Sequence, residues 1–124
     1  MSRLESFRKE RERLNARVLE TATLETKRFF SLDGQTYRAG ALPAKTKELM
    51  GLVASMVLRC DDCISYHLIR CAEEGVADEE FQESFSVGLI VGGSIVIPHL
   101  RRAVDFLDEI RAGKKKKKAP KKKR

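Results

Sequence analysis

GALPAKTKELMGLVASMVLRCDDCISYHLIRCAEEG, residues 40–75, holds two helical patterns back to back, with a pair of cysteines at the join. Pro43 stands where a helix can begin, because its missing N–H is one that a first helical turn leaves unused. From there Leu49, Leu52, Val53, Met56 and Val57 recur at i, i+3, i+4, i+7 and i+8. That spacing puts one apolar face on an amphipathic helix over 43–59. A second helix is expected to start near residues 60–62 and to run to Glu74. Ile64, Leu68, Cys71 and Ala72 are its apolar residues, and Gly75 is its C-terminal stop.

Working outward, residues 3–30 carry strong helix formers with no Gly or Pro and read as one helix. Their apolar positions, Leu4, Phe7, Leu14 and Val18, are sparse, so this helix is expected to cross the outside of the domain or reach a neighbour. Residues 31–43, SLDGQTYRAGALP, read as a loop marked by Asp33-Gly34 and Gly40. Beyond Gly75, Asp78 is expected to cap a further helix. The apolar run VGLIVGGSIVIPHL, residues 87–100, follows, broken by Gly92-Gly93 and kinked or restarted at Pro98. Nothing alternates with strand period over a useful length. The expected class is all-α, a compact domain of about five to six helices. A run apolar on all sides must be covered on all sides, and in a chain this small a subunit interface does that most easily, so a homo-oligomer is expected.

The 124 residues form one domain by size, and their net charge of +7 suggests a nucleic-acid or membrane partner. Nine of the 25 basic residues, however, lie in Lys114–Lys118, Lys121–Lys123 and Arg124, which leaves residues 1–113 with 16 basic against 18 acidic, a net of −2. The domain is therefore assigned to 1–113, and 114–124 to a lysine-rich tail expected to be disordered. That tail also resembles a basic localisation or nucleic-acid-binding segment. The opening MSRLESFRKERERLNAR has no apolar stretch behind its charges, so no signal peptide is expected and the location is read as cytoplasmic. The longest apolar run falls short of the roughly 20 residues a membrane helix needs. Three cysteines in such a chain point to catalytic, metal-binding or buried thiols before structural disulfides.

Cys60, Cys63, His67 and Cys71 have the look of zinc ligands, but helical geometry opposes it. At about 1.5 Å per residue Cys60 and Cys71 stand roughly 16 Å apart along an axis, against a zinc–thiolate bond of about 2.3 Å. A site using Cys60, Cys63 and His67 with a distant ligand such as His99 stays open on these residues. The redox reading uses the same geometry favourably. Residues i and i+3 are neighbours on a helix, so Cys60 and Cys63 can be oxidised to a disulfide. His67, one turn beyond Cys63, can serve as its proton acceptor, and a helix N-terminus favours the thiolate. Asp61 and Asp62 oppose it by placing negative charge beside both sulfurs. The plain alternative is two buried cysteines and a satisfied histidine. Cys71 reads as a small core residue, His99 as a helix-start or interface residue, and Tyr66 as a residue able to line the thiol pocket.

With its glutamate, eleven intervening residues, C-x-x-C, three residues and histidine, the stretch resembles the carboxymuconolactone decarboxylase superfamily in its alkyl hydroperoxidase D-like branch. Glu48, Cys60, Cys63 and His67 match every element, and a weaker similarity continues through GVADEEFQESFSVGLIVGGS. The resemblance implies an all-α fold assembled as trimers or hexamers, and a thiol peroxidase or disulfide reductase acting on a hydroperoxide or disulfide substrate. In it Cys63 meets the peroxide, Cys60 resolves the sulfenic acid, and Glu48 and His67 relay protons. It further implies an external dithiol reductant, of lipoyl or thioredoxin-like type, delivered by a partner protein, with no tightly bound cofactor or metal. Lactone decarboxylation is disfavoured, since the cysteine motif marks the redox branch. Some members carry a histidine between the cysteines where this chain has two aspartates. A symmetric hairpin turning at Cys60 would set Val53, not Glu48, opposite His67, an offset of about 8 Å, so the role of Glu48 rests on the resemblance. Its plain alternative is a solvated residue paired with Lys45 or Lys47. The alternative function is an oligomeric helical binding module contacting nucleic acid or acidic partners through Lys114 to Arg124.

Overall fold

The structure, a computed structural model, describes residues 2–122, with side chains as far as Lys114. Its elements are α1 (Arg3–Thr21), α2 (Leu24–Thr36), α3 (Ala44–Leu58), α4 (Asp61–Glu73), α5 (Asp78–Gly92), a 3-10 turn (Ser94–Val96) and α6 (Ile97–Lys122). No strand occurs among the described residues. The fold is all-α, as the periodicity implies.

The core lies between α3, α4, α5 and α6. Leu52 and Met56, one turn apart on α3, meet Ile64, Leu68 and Cys71 of α4, Phe81 and Phe85 of α5, and Ala103, Phe106 and Leu107 of α6. Each large apolar side chain buried there contributes about 1.5–3 kcal/mol. Gly88, facing Met56, lets α5 settle on α3, since an added Cβ would stand 3.2 Å from the Met56 sulfur. α1 crosses the outer side of α6: Phe7 meets Phe106 edge-on with ring centroids 5.8 Å apart, and Arg3 pairs with Asp105 at 2.6 Å. Beyond Phe7, Leu14 and Val18 are exposed, as their sparse spacing suggests.

Several boundaries differ from the sequence reading. The helix expected over 3–30 breaks at Ala22–Thr23, because the Thr23 hydroxyl accepts from the Thr26 N–H and starts a new helix. Such a cap satisfies a donor that a helix start otherwise leaves unpaired. α2 then continues to Thr36 through the residues expected to form a loop, with Gly34 inside it. Asp78 is the first residue of α5 and not its cap. The Glu80 carboxylate accepts from the Ala77 N–H at 2.8 Å, so Ala77 takes the cap position. Arg59, with φ 60°, ends α3 in the left-handed conformation, while Gly75 (φ 81°) stops α4 as expected. α5 stops at Gly92-Gly93. Gly93 has φ 82° and ψ −175°, a conformation open essentially to glycine alone, and a side chain at Gly92 would collide with Val96.

No helix among the described residues is long and apolar enough to cross a membrane. The backbone of α6 continues to Lys122, into the lysine-rich segment. That helical backbone differs from the disorder expected from residue 114 onward; side chains of residues 115–124, and residues 123–124 altogether, lie outside the described residues.

Candidate active site

The α3–α4 junction presents the cysteines. Arg59 turns the chain, Cys60 is the N-cap of α4, and the Cys63 N–H donates to the Cys60 sulfur at 3.2 Å. The two sulfurs are bonded as a disulfide, with Cα atoms 5.3 Å apart; Cys63 is exposed and Cys60 half-buried. Both lie in the first turn of a helix, whose free N–H groups and dipole favour negative charge on sulfur. The aspartate opposition expected from sequence is reduced at Asp61. His99 Nδ1 lies 2.7 Å from its carboxylate and Arg102 Nε 3.0 Å. Burial pushes the Asp61 carboxyl up, but those two partners outweigh it and hold it below its ordinary range. His99 thus braces the start of α4 from α6.

One turn further on, His67 is buried and Glu48 is 1 % exposed. His67 Nδ1 stands 2.9 Å from Glu48 Oε1, and Arg70 Nε faces Glu48 Oε2 at 3.5 Å. Arg70 also binds Glu73 and Glu74, so it links the buried carboxylate to the surface. The pairing of Glu48 with a neighbouring lysine does not occur: Lys45 binds Glu80, and Lys47 donates to the carbonyls of Thr36 and Arg38. The offset read from an idealised hairpin disappears at Gly51. A Cβ there would stand 2.6 Å from His67 Cε1, so the imidazole lies in the space that glycine leaves and reaches Glu48 one turn away. Glu48 and His67 are therefore brought together, as the resemblance implies. The second ring nitrogen, Nε2, lies 3.4 Å from the Tyr37 hydroxyl. Tyr66 packs edge-on against His67 at 5.1 Å between centroids, with the Arg11 guanidinium 4.1 Å above its ring.

Cys71 is fully buried, a core residue, and its thiol is pushed up to about 12 by burial and then by the charge of Glu48. Among the described residues no three His, Cys, Asp or Glu side chains gather as a metal site. His99, the distant ligand considered for zinc, is committed to Asp61, and His67 to Glu48. Tyr37, Gly51 and Arg70 complete the site without having been singled out. Tyr37 fell in the supposed loop, whereas Arg70 could have been found at i+3 from His67.

Fold and site together define a class: a helical domain with a CxxC disulfide at a helix start and a buried imidazole–carboxylate pair one turn below. The profile of the carboxymuconolactone decarboxylase family matches residues 25–106, and the chain belongs to that family. Two crystal structures from Thermotoga maritima are close in sequence and shape. One is 62 % identical with a TM-score of 0.89, over 90 % of this chain and 98 % of that one. The other is 61 % identical with a TM-score of 0.86, over 90 % and 94 %, and is described as a family protein with a suggested involvement in the antioxidative response. A family protein from Legionella pneumophila, 22 % identical over 89 % of this chain and 98 % of that one, shares the fold with a TM-score of 0.80. An uncharacterized protein of the cox locus of Paracoccus denitrificans is 29 % identical over 82 residues, 66 % of this chain and 74 % of that protein.

Proposed function

We propose that the chain is a thiol-dependent oxidoreductase, a peroxidase or disulfide reductase, in which Cys60 and Cys63 cycle between dithiol and disulfide while Glu48 and His67 handle the proton. The observation that carries this reading is the disulfide in the first turn of α4, one turn from the buried Glu48–His67 pair. The exposure of Cys63 supports its role as the thiolate that attacks. Its sulfur forms a bond to the terminal peroxide oxygen, the O–O bond breaks, and the alkoxide leaves as an alcohol with a proton from the relay. The Cys60 thiolate then displaces hydroxide from the sulfenic acid, which departs as water once protonated, and the disulfide forms. An external dithiol, lipoyl or thioredoxin-like, restores two thiols by exchange and leaves as its own disulfide.

The test starts from fully reduced protein given one equivalent of a hydroperoxide and quenched over time, with thiol counting and peptide mass mapping. Loss of two thiols per chain, a Cys60–Cys63 linkage and an untouched Cys71 are expected. Cys63→Ser should abolish the reaction, and Cys60→Ser should leave a sulfenic acid open to trapping. Removal of residues 114–124 should not alter the rate. Slow loss spread over all three thiols would overturn the proposal.

A further inference from the structure

Helix α2 buries none of its own residues, yet the residue that ends it is held against the candidate site by two separate devices. Tyr37 is the C-cap of α2, and Lys47 of α3 grips the carbonyls on either side of it, donating to Thr36 at 2.9 Å and Arg38 at 2.7 Å. The second device is Gly51. A Cβ at that position would stand 2.8 Å from the Tyr37 hydroxyl and 2.8 Å from His67 Nε2, so any larger residue would displace both groups. The rings of Tyr37 and His67 lie 5.3 Å apart between centroids. An otherwise unburied helix is thereby docked so that one phenol meets one imidazole nitrogen.

Both ring nitrogens of His67 are accounted for. Nδ1 lies 2.9 Å from Glu48 Oε1, and a carboxylate anion can only accept, so Nδ1 is assigned the proton and in the neutral ring Nε2 carries the lone pair. The group at Nε2 is the Tyr37 hydroxyl, and neither cysteine is among the hydrogen-bond partners of His67. Burial, followed by the charges of Asp33 and Glu48, raises the Tyr37 phenol above its ordinary value, so at neutral pH it keeps its proton and donates. Tyr66 of α4 also packs on the imidazole, with Arg11 of α1 beyond the Tyr66 ring, and Arg70 reaches the far oxygen of Glu48.

We propose that Tyr37 is a positioning residue of the site: its hydroxyl, donating to Nε2, fixes the tautomer and orientation of His67. The inference rests on the oxidoreductase reading for its catalytic consequence. A hydroxyl can hold Nε2 by a hydrogen bond and so keep the ring set for proton transfer, and a phenylalanine in its place cannot.

Two measurements on the reduced full-length protein test this. The first is ¹⁵N NMR of the His67 ring across pH, in wild type, Tyr37→Phe and Lys47→Met. Wild type should show the neutral ring protonated on Nδ1, and Tyr37→Phe should move the Nε2 signal while leaving Nδ1–H in place. The second is the rate of thiol loss with a hydroperoxide across pH. Tyr37→Phe and His67→Gln should each slow it about 100-fold, within the range of general acid–base help, and the double variant should be no slower than either. Independent, multiplying losses would reduce Tyr37 to packing, and so would an Nε2 signal indifferent to Tyr37→Phe. A ring protonated on Nε2 in wild type would overturn the assignment at once. If Tyr37→Phe does not fold, the wild-type tautomer and Lys47→Met, which loosens α2 without touching His67, decide. If wild type loses no thiols to peroxide, the oxidoreductase reading falls, and the NMR comparison still judges the Tyr37–His67 contact.

Discussion

Three cysteines within twelve residues acquire different chemistry from position alone. Cys60 and Cys63 share the first turn of α4, whose free N–H groups point toward them, whereas Cys71, two turns further along, is fully buried against apolar neighbours with its thiol raised to about 12. Only a thiolate attacks an alkylating reagent at a useful rate. Reduced native protein treated with iodoacetamide at pH 8 should therefore label Cys60 and Cys63 and leave Cys71 unmodified, as peptide mass mapping would show. Denaturation should bring in the third label. Rapid labelling of Cys71 in the native state would mean that α4 opens far more readily than its packing indicates. At this scale the sequence was informative wherever chemistry follows local spacing. Glu48, Cys60, Cys63 and His67 were legible as a motif, and Cys71 as core. Tyr37 was not, because it lies 30 residues from His67 and reaches it through a helix read as a loop. The projected misfit of Glu48 with His67 failed because axial arithmetic ignores side-chain reach and the space vacated at Gly51.

The elements were legible where periodicity is strong and blurred where a single hydrogen bond decides. α3 and α4 fell within a residue or two of expectation, since five apolar positions fix the one and Gly75 closes the other. The break between α1 and α2 contains neither Gly nor Pro; a threonine cap alone makes it. Tertiary contacts at the start of α4 were equally hidden. Asp61, read as a liability to the thiolates, is the point where α6 holds α4 through His99 and Arg102. The brace has a pH signature whose sign follows from the direction of the shift. The folded carboxyl lies below its ordinary 3.8, despite the opposing effect of burial, because His99 and Arg102 favour the charged form. Its contribution is thus present above the unfolded value and is lost as pH falls through the folded one. Urea midpoints of wild type and Asp61→Asn, measured from pH 5 to pH 2.5, should differ at the upper end and converge below about 3.8. The carboxylate is partly exposed, so the gap should also narrow in high salt. A gap independent of both pH and salt would mean that Asp61 acts only by capping geometry.

On the whole molecule, the apolar run expected to need covering is covered on one side only: Val96 is buried in the core, and the outer side of α5 stays open. Val87, Ile90 and Val91 stand at i, i+3 and i+4 on the side of α5 opposite Phe81, Phe85 and Gly88, and Ile95 follows in the 3-10 turn. Ile90 is 83 % exposed, Val91 65 % and Ile95 56 %. Isolated apolar residues on a surface are ordinary, but a contiguous row on one helix face marks an interaction site. The same helix supplies Phe81 and Phe85 to the core, so its exposed side is not a stray segment but the back of a core helix. The chain is expected to associate with itself through this face, as a trimer or hexamer by the family resemblance. Sedimentation equilibrium should give a multiple of the 14.1 kDa chain mass. Ile90→Glu, which puts a charge into that face without touching the core, should lower the mass toward one chain while leaving helical content intact. Removal of residues 114–124 should leave the assembly unchanged, separating association through α5 from any effect of the basic segment. A wild-type mass of one chain would overturn self-association. An oligomer indifferent to Ile90→Glu would move the interface elsewhere, to the exposed Leu24, Phe29 and Leu32 of α2. That second outcome would bear on the site as well, because α2 is the helix that carries Tyr37 to His67. A partner subunit on α2 would then help hold the phenol in place, and dilution would weaken the relay along with the assembly.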